Sequence, residues 1–81
     1  MKLRVRLFAA AKQAADCDSI DVELPEGTTI GRLRDQLAGE FPQLAGLVRQ
    51  AMFSIDAEYA GDTEEIRPDA DVACIPPVSG G

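Results

Sequence analysis

The sequence predicts an α+β roll, in which a mixed sheet of about five strands wraps over one main helix. Two early segments alternate apolar and charged residues, as strands with one buried face do. A central segment carries apolar residues at helical spacing, and the last third returns to short apolar runs separated by turn residues. A chain of 81 residues allows one such domain with a single modest core.

The first two strands come from alternating segments on either side of a short helix. In "KLRVRLF", aliphatic and basic side chains alternate over Lys2–Leu7, and "SIDVEL" alternates apolar with acidic residues before Pro25 and Gly27 make a turn. Between them, Ala9–Ala15 is rich in alanine and predicts a short helix. We expect the two strands to pair across this helix.

The main helix is predicted from "TTIGRLRDQLAGEFP", where four apolar residues lie three, four and four positions apart. These residues are Ile30, Leu33, Leu37 and Phe41. Thr28 or Thr29 can cap its first amides, and Pro42 cannot continue it. The following "QLAGLVRQ" is expected to form a further helical turn or a loop.

Three short strands complete the predicted sheet. "AMFSI" and "YA" are expected to pair across the tight turn "DAE", and Ile66 is the expected core anchor of the acidic segment that follows. The final strand covers residues 71–75, because Pro76 and Pro77 cannot donate hydrogen bonds to a ladder. We therefore divide the chain into a domain of residues 1–75 and a flexible, projecting tail of residues 76–81.

Composition argues against several kinds of partner and site. The net charge of −6, from 8 basic against 14 acidic residues, disfavours nucleic acid. No run approaches the ~20 apolar residues that span a membrane, and "MKLRVRLF" is not a secretory signal, so we expect a cytoplasmic protein without a membrane partner. Cys17 and Cys74 lie far apart in a chain without histidine, so no metal site is expected. Cys74 is expected in the core and Cys17 in a loop.

The terminal stretch "PPVSGG" poses the functional question. Gly80 and Gly81 lose much backbone freedom on ordering and bury no side chain, so they contribute little to stability. An idle terminus is one interpretation. The other is that the tail enters a pocket of another protein: residues 76–81 would span about 20 Å when extended, and glycines fit a narrow channel. The ionised carboxylate would need activation by an ATP-using partner, because the chain has no phosphate-binding loop.

Three stretches carry a resemblance to a known family. "RLFAAAKQAA", "LRDQL" followed by "EFP", and above all "PPVSGG" resemble the small, sulfur-carrying subunits of molybdopterin synthase, which are β-grasp proteins of the ubiquitin-like superfamily. The resemblance covers essentially the whole chain. A terminal diglycine is shared with ubiquitin and the thiamine-pathway sulfur carrier. The chain departs from the family at Asp56, where asparagine is common, and at residues 69–71, where a glycine-containing turn is common.

The resemblance implies a sulfur carrier that is not catalytic alone. An E1-like enzyme would use ATP to adenylate Gly81, and a persulfide sulfur donor would convert it to a thiocarboxylate. The tail would then enter the large synthase subunit and pass sulfur to cyclic pyranopterin monophosphate, building the molybdopterin dithiolene. The chain itself would bind no cofactor. The inserted segment would comprise Pro76, Pro77, Val78, Ser79 and Gly80.

The same resemblance marks docking candidates. Phe8, Tyr59, Ile75 and Val78 would form an apolar docking surface, with core packing as the alternative. Lys12 matches a basic position in the family's first helix and would face the activating enzyme, with a solvated surface lysine as the alternative.

Three functions stay open at this stage. The chain is a sulfur carrier for the pterin or for the thiamine pathway, a ubiquitin-like modifier joined to lysines through Gly81, or an interaction module with an inert tail.

Overall fold

A computed structural model describes residues 1–77 of the chain. Within this range the strands are β1 (Lys2–Leu7), β2 (Ser19–Glu23), β3 (Met52–Ile55), β4 (Glu58–Ala60) and β5 (Val72–Ile75). The helices are α1 (Ala9–Ala15), α2 (Ile30–Glu40) and α3 (Ala45–Gln50), with a 3-10 turn at Pro42–Leu44. The predicted α+β roll is confirmed. "QLAGLVRQ" forms most of the 3-10 turn and α3, and β5 begins one residue later than predicted.

The last strand lies in the middle of the sheet. The strand order is β2-β1-β5-β3-β4, with β5 parallel to β1 and antiparallel to β3. Val72, Ala73 and Cys74 are all buried, and β5 has a hydrogen-bonded neighbour on each side, as a central strand does. The C-terminal end of the described chain therefore leaves the sheet between β1 and β3.

The two faces of the sheet differ in what they carry. The inner face, which the helices cover, holds the alternate residues Leu3, Val5 and Leu7 of β1, all buried in the core. We call the opposite surface the outer face; on β1 it carries the basic residues that alternate with them. β1 pairs antiparallel with β2 across α1, as predicted.

The main helix packs its predicted stripe against the inner face. Ile30, Leu33 and Leu37 are fully buried, and the side chain of Thr29 accepts a hydrogen bond of 3.3 Å from the Arg32 amide at the N-terminus of the helix. Of the two candidate threonines, the cap is thus Thr29.

Arg34 connects α2 to the elements that follow it. Its Nη1 donates to the carbonyls of Val48 and Ala51 at 2.8 and 2.7 Å, and its Nη2 lies 2.9 Å from the Asp62 carboxylate. The guanidinium carbon lies 5.0 Å from the centroid of the Phe53 ring. Carbonyls at the C-terminal end of a helix lack the usual helical partners, so Arg34 supplies the Ala51 carbonyl with a donor and gives the Val48 carbonyl a second one besides the Ala51 amide.

The β3–β4 turn is tied to the start of β5. Asp56 and Ala57 both have positive φ, 52° and 69°, as in the two-residue turns that suit hairpins. The Asp56 amide donates to the Asp71 carbonyl at 2.8 Å, while its carboxylate accepts from the Asp71 amide at 3.0 Å and pairs with Arg67. The hydrogen bond from the Asp71 amide has the larger effect and the one from Arg67 the smaller, and both lower the pKa of the Asp56 carboxyl.

The turn at residues 69–71 does not need the glycine common in the family. Among residues 1–77, positive φ occurs at positions 9, 16, 27, 56 and 57. The Ala70 amide closes the turn on the Arg67 carbonyl at 3.1 Å, and its side chain is buried. An alanine therefore fits here without backbone strain and adds apolar surface to the core.

Substitution Arg34→Ala should lower the free energy of unfolding by about 2 to 4 kcal/mol, because it leaves two carbonyls near the end of α3 without their charged donor. Urea denaturation measures the change. Arg32→Ala on the same helix removes an exposed arginine and should cost less than about 0.5 kcal/mol. Equal losses for the two variants would contradict the role of Arg34 as a connector.

Substitution Asp56→Asn tests the charge at the hairpin turn. Because the pKa of Asp56 is lowered on folding, its stabilising effect is complete above the unfolded pKa of about 3.9 and is lost as the pH falls through the folded pKa. The variant should therefore melt below wild type at pH 7, and the gap should close in strong acid. Asp35→Asn, an exposed site on α2, controls for loss of one negative charge. A gap that stays constant down to pH 2 would argue against this effect.

Candidate functional site

The chain leaves the domain body directly after β5. Pro76 is still buried, whereas Pro77 is exposed, so burial extends one residue beyond the end of the strand at Ile75. Residues 78–81, which include most of the predicted inserted segment and the reactive Gly81, lie outside the described residues. Their roles and the division of the chain at residue 75 stay predictions. The described part of the site is the surface around the end of β5, where the chain leaves the sheet.

Three strand ends meet at this exit. Because β1 and β5 are parallel, their C-terminal ends lie at the same edge of the sheet, and antiparallel β3 begins there. The Phe8 amide extends the pairing by donating to the Cys74 carbonyl at 3.2 Å, and Met52 lies opposite Ile75. Phe8, Ile75 and Met52 therefore form a row across the exit.

A second row lies beside the first on the outer face. Arg6, Ala73, Ser54 and Tyr59 follow one another across β1, β5, β3 and β4. Ala73 and Ser54 are small and buried, with 1% and 6% of their surface exposed.

The outer face thus carries an apolar surface at the exit, which we call the exit patch. It consists of Phe8, Met52, Tyr59 and Ile75. Phe8, Met52 and Tyr59 are 39%, 53% and 67% exposed, and they are the large exposed hydrophobic residues of the described chain. Clustered apolar side chains at the surface of a small domain are typical of a protein interaction site.

The exit patch brings together three of the predicted docking residues and adds a fourth. Phe8, Tyr59 and Ile75 share this surface, and their docking role stays a prediction; Val78 lies outside the described residues. Met52 was not among the predicted docking residues. The signal was present in "MFSI", because Phe53 points to the core and its neighbour Met52 must then point to the other face.

Lys12 lies next to the exit patch but is already paired. Its Nζ lies 2.9 Å from the Asp18 carboxylate, and this hydrogen bond raises the pKa of Lys12. A surface groove of about 390 Å³ runs between Lys12, Phe8 and Ala9. A partner that binds Lys12 would therefore compete with Asp18.

An ion pair borders the patch on the β1 side. Nε and Nη2 of Arg6 each donate to one carboxylate oxygen of Asp71, both at 2.9 Å. The guanidinium carbon of Arg6 lies 5.4 Å from the centroid of the Phe8 ring. The basic residues of β1 were predicted only as a solvent-facing row, so this link to the patch was not foreseen.

The described residues supply little chemistry of their own at the exit. Burial raises the pKa of the Cys74 thiol to about 11, against a small opposing effect of Arg34, so this thiol stays protonated at neutral pH. Cys74 is in the core and Cys17 lies in the loop between α1 and β2, both as predicted, and Cys17 is exposed. Among residues 1–77, no group of three or more histidine, cysteine or acidic side chains could hold a metal ion. The same residues contain no helix long and apolar enough to span a bilayer.

Comparison with known proteins gives full-length matches. A model of the ThiS family matches residues 5–81. The molybdopterin synthase sulfur carrier subunit of Caenorhabditis briggsae is 32% identical over 83 residues, which cover 100% of this chain and 99% of the relative. The protein of the same name from Dictyostelium discoideum is 31% identical over 84 residues, covering 99% of this chain and 96% of the relative.

Solved structures share the fold. SAMP1 of Haloferax volcanii, also described as small archaeal modifier protein 1, superposes with a TM-score of 0.82 at 25% identity over 100% of both chains. A chain from the complex of subunits 1 and 2 of the molybdopterin-converting factor of Helicobacter pylori gives 0.70 at 18% identity, again over 100% of both chains. These matches confirm the predicted β-grasp roll and the predicted resemblance to molybdopterin synthase sulfur carriers. Because the family model spans nearly its whole length, the chain belongs to the ThiS family.

Proposed function

We propose that the chain is the sulfur carrier of a molybdopterin synthase. In this role Gly81 is converted to a thiocarboxylate, and its sulfur is donated to cyclic pyranopterin monophosphate to form the molybdopterin dithiolene. The observation that carries the proposal is the full-length similarity to sulfur carrier subunits of that name. The fold supports it, because the central last strand directs the chain out of the domain beside an exposed apolar surface.

The proposed chemistry begins at the main-chain carboxylate. A carboxylate oxygen of Gly81 attacks the α-phosphate of ATP on an E1-like partner and releases pyrophosphate. A persulfide sulfur from a donor protein then displaces AMP, and a thiol cleaves the resulting acyl disulfide to leave the thiocarboxylate. ATP and the catalytic groups belong to the partners, and we place these steps in the cytoplasm. A dithiolene holds two sulfur atoms, so each product consumes two loaded carriers.

The proposed acceptor complex contains the large synthase subunit. Support comes from the Helicobacter pylori structure, in which subunits 1 and 2 of the molybdopterin-converting factor form a complex. In this chain the exit patch would bind beside the mouth of a pocket in the large subunit, and the tail would enter that pocket. Burial of this apolar surface beside the exit would exclude water where the tail passes between the two proteins.

A ubiquitin-like modifier is the second candidate, and the similarity to small archaeal modifier protein 1 favours it. Both functions begin with activation of Gly81. They differ in what attacks the activated carbonyl, which is sulfur in a carrier and a lysine amine in a modifier.

Intact mass spectrometry tests the proposed function. Incubation with ATP, the activating enzyme and a persulfide donor should add about 16 Da, the difference between one sulfur and one oxygen. A chain ending at Gly80 should gain no mass and keep its melting temperature, because removing one glycine takes no side chain from the core. Lysine conjugates in place of the shift would favour the modifier, and an unchanged mass would favour an inert tail.

Substitutions in the exit patch test docking of the large subunit. Met52→Asp and Tyr59→Asp should each weaken binding about tenfold or more, because a charge would be buried in an apolar interface. Both side chains are more than half exposed, so the melting temperature should change little. Gln43→Asp adds the same charge at an exposed position on the helical side and is the matched control. Titration calorimetry measures the affinities, and equal affinities for all three variants would exclude this surface.

A further inference from the structure

We propose that Arg6, held by Asp71, is a positioning residue that fixes the Phe8 ring in the orientation needed for docking. The inference rests on the proposed function, because it concerns binding of the large subunit at the exit patch. It adds a role for a charged pair that lies outside the apolar residues themselves.

The ion pair between Arg6 and Asp71 has a two-point geometry. Two parallel hydrogen bonds of 2.9 Å join the guanidinium edge of Arg6 to the two carboxylate oxygens of Asp71. A single bond would leave the guanidinium free to rotate, whereas a two-point contact fixes its plane. Both side chains are about half exposed, so the pair is a weak source of stability but a defined source of orientation.

The guanidinium of Arg6 lies over the ring of Phe8. A distance of 5.4 Å from the guanidinium carbon to the ring centroid lies within the range of cation–π attraction. The backbone of Phe8 is extended and hydrogen-bonded to β5, so the ring is the part of this residue left to order. A ring already held in place loses less freedom when a partner covers it.

Two hydrogen bonds to Asp56 hold the backbone of Asp71 in place. Its amide donates to the Asp56 carboxylate at 3.0 Å, and its carbonyl accepts from the Asp56 amide at 2.8 Å. The position of Arg6 is thus set by the β3–β4 turn as well as by its own strand. The chain of contacts runs from Asp56 through Asp71 and Arg6 to the exposed ring.

Arg4 provides a matched control within the same strand. It lies two residues before Arg6 on the same face and forms one hydrogen bond of 3.0 Å to Asp21 on the edge strand β2. Its side chain is 71% exposed. Loss of Arg4 therefore removes a comparable charge pair on the side of β1 away from β5 and the exit patch.

Proton NMR tests the geometry without any partner. The aromatic ring current of Phe8 should shift the side-chain protons of Arg6 upfield in the wild-type protein. Phe8→Leu should abolish this shift, and Asp71→Asn should reduce it while leaving Phe8 in place. An Arg6 shift that is unchanged in Asp71→Asn would overturn the claim that Asp71 holds the guanidinium over the ring.

Titration of the large synthase subunit tests the docking role. Arg6→Leu should weaken binding about two- to fivefold, the range expected for an exposed cation–π contact. Arg6→Lys should behave like Arg6→Leu, because an ammonium group cannot make the planar two-point contact. Arg4→Leu should stay within about twofold of wild type, consistent with an exposed pair. In a Phe8→Ala background, Arg6→Leu should have no further effect.

The outcomes separate the two proposals. Wild-type affinity in Arg6→Lys, or an equal effect of Arg6→Leu with and without Phe8, would overturn the positioning role while the proposed function stands. Failure of the wild-type protein to bind the large subunit would instead overturn the proposed function, and the docking role of Arg6 with it.

Discussion

The parallel pairing of β5 with β1 is the constraint on which the rest of this fold depends. It joins the first and last strands at the centre of the sheet, so the core is incomplete without the last strand. The same pairing brings the C-terminal ends of both strands to one edge, where β3 begins. The β1–β5 pairing thus completes the core, fixes the point of exit and places Phe8 beside it, and the β3–β5 pairing adds Met52.

The two faces of the sheet differ in role: one packs against the helices and the other is exposed. The inner face is closed by α2 and α3, and Arg34 joins these helices through charged hydrogen bonds to carbonyls at the end of α3, which a shorter or apolar side chain could not make. The outer face has no helix over it among the described residues, and it exposes large apolar side chains near the small, buried residues Ala73 and Ser54. Stability therefore comes from one side, which leaves the other free for interactions.

Local patterns in the sequence predicted much of the fold, and long-range contacts account for what they missed. Alternation predicted β1 and β2, and the apolar stripe predicted α2, because burial on one face leaves a periodic signature. Periodicity carries no information about strand order or register, so the pairing of Met52 with Ile75 could not be foreseen. Arg34 resembles any exposed helical arginine until α3 is placed beside it.

The central position of β5 also has a mechanical consequence. A partner that draws the terminal residues into a pocket pulls along the axis of this strand, which is hydrogen-bonded to a neighbour on each side. Such a force shears the hydrogen-bond ladders to β1 and β3, so many hydrogen bonds must break at once. An edge strand can instead be peeled away one hydrogen bond at a time. Under the proposed function, the central position of β5 would therefore protect the fold while a partner draws on the residues that follow it.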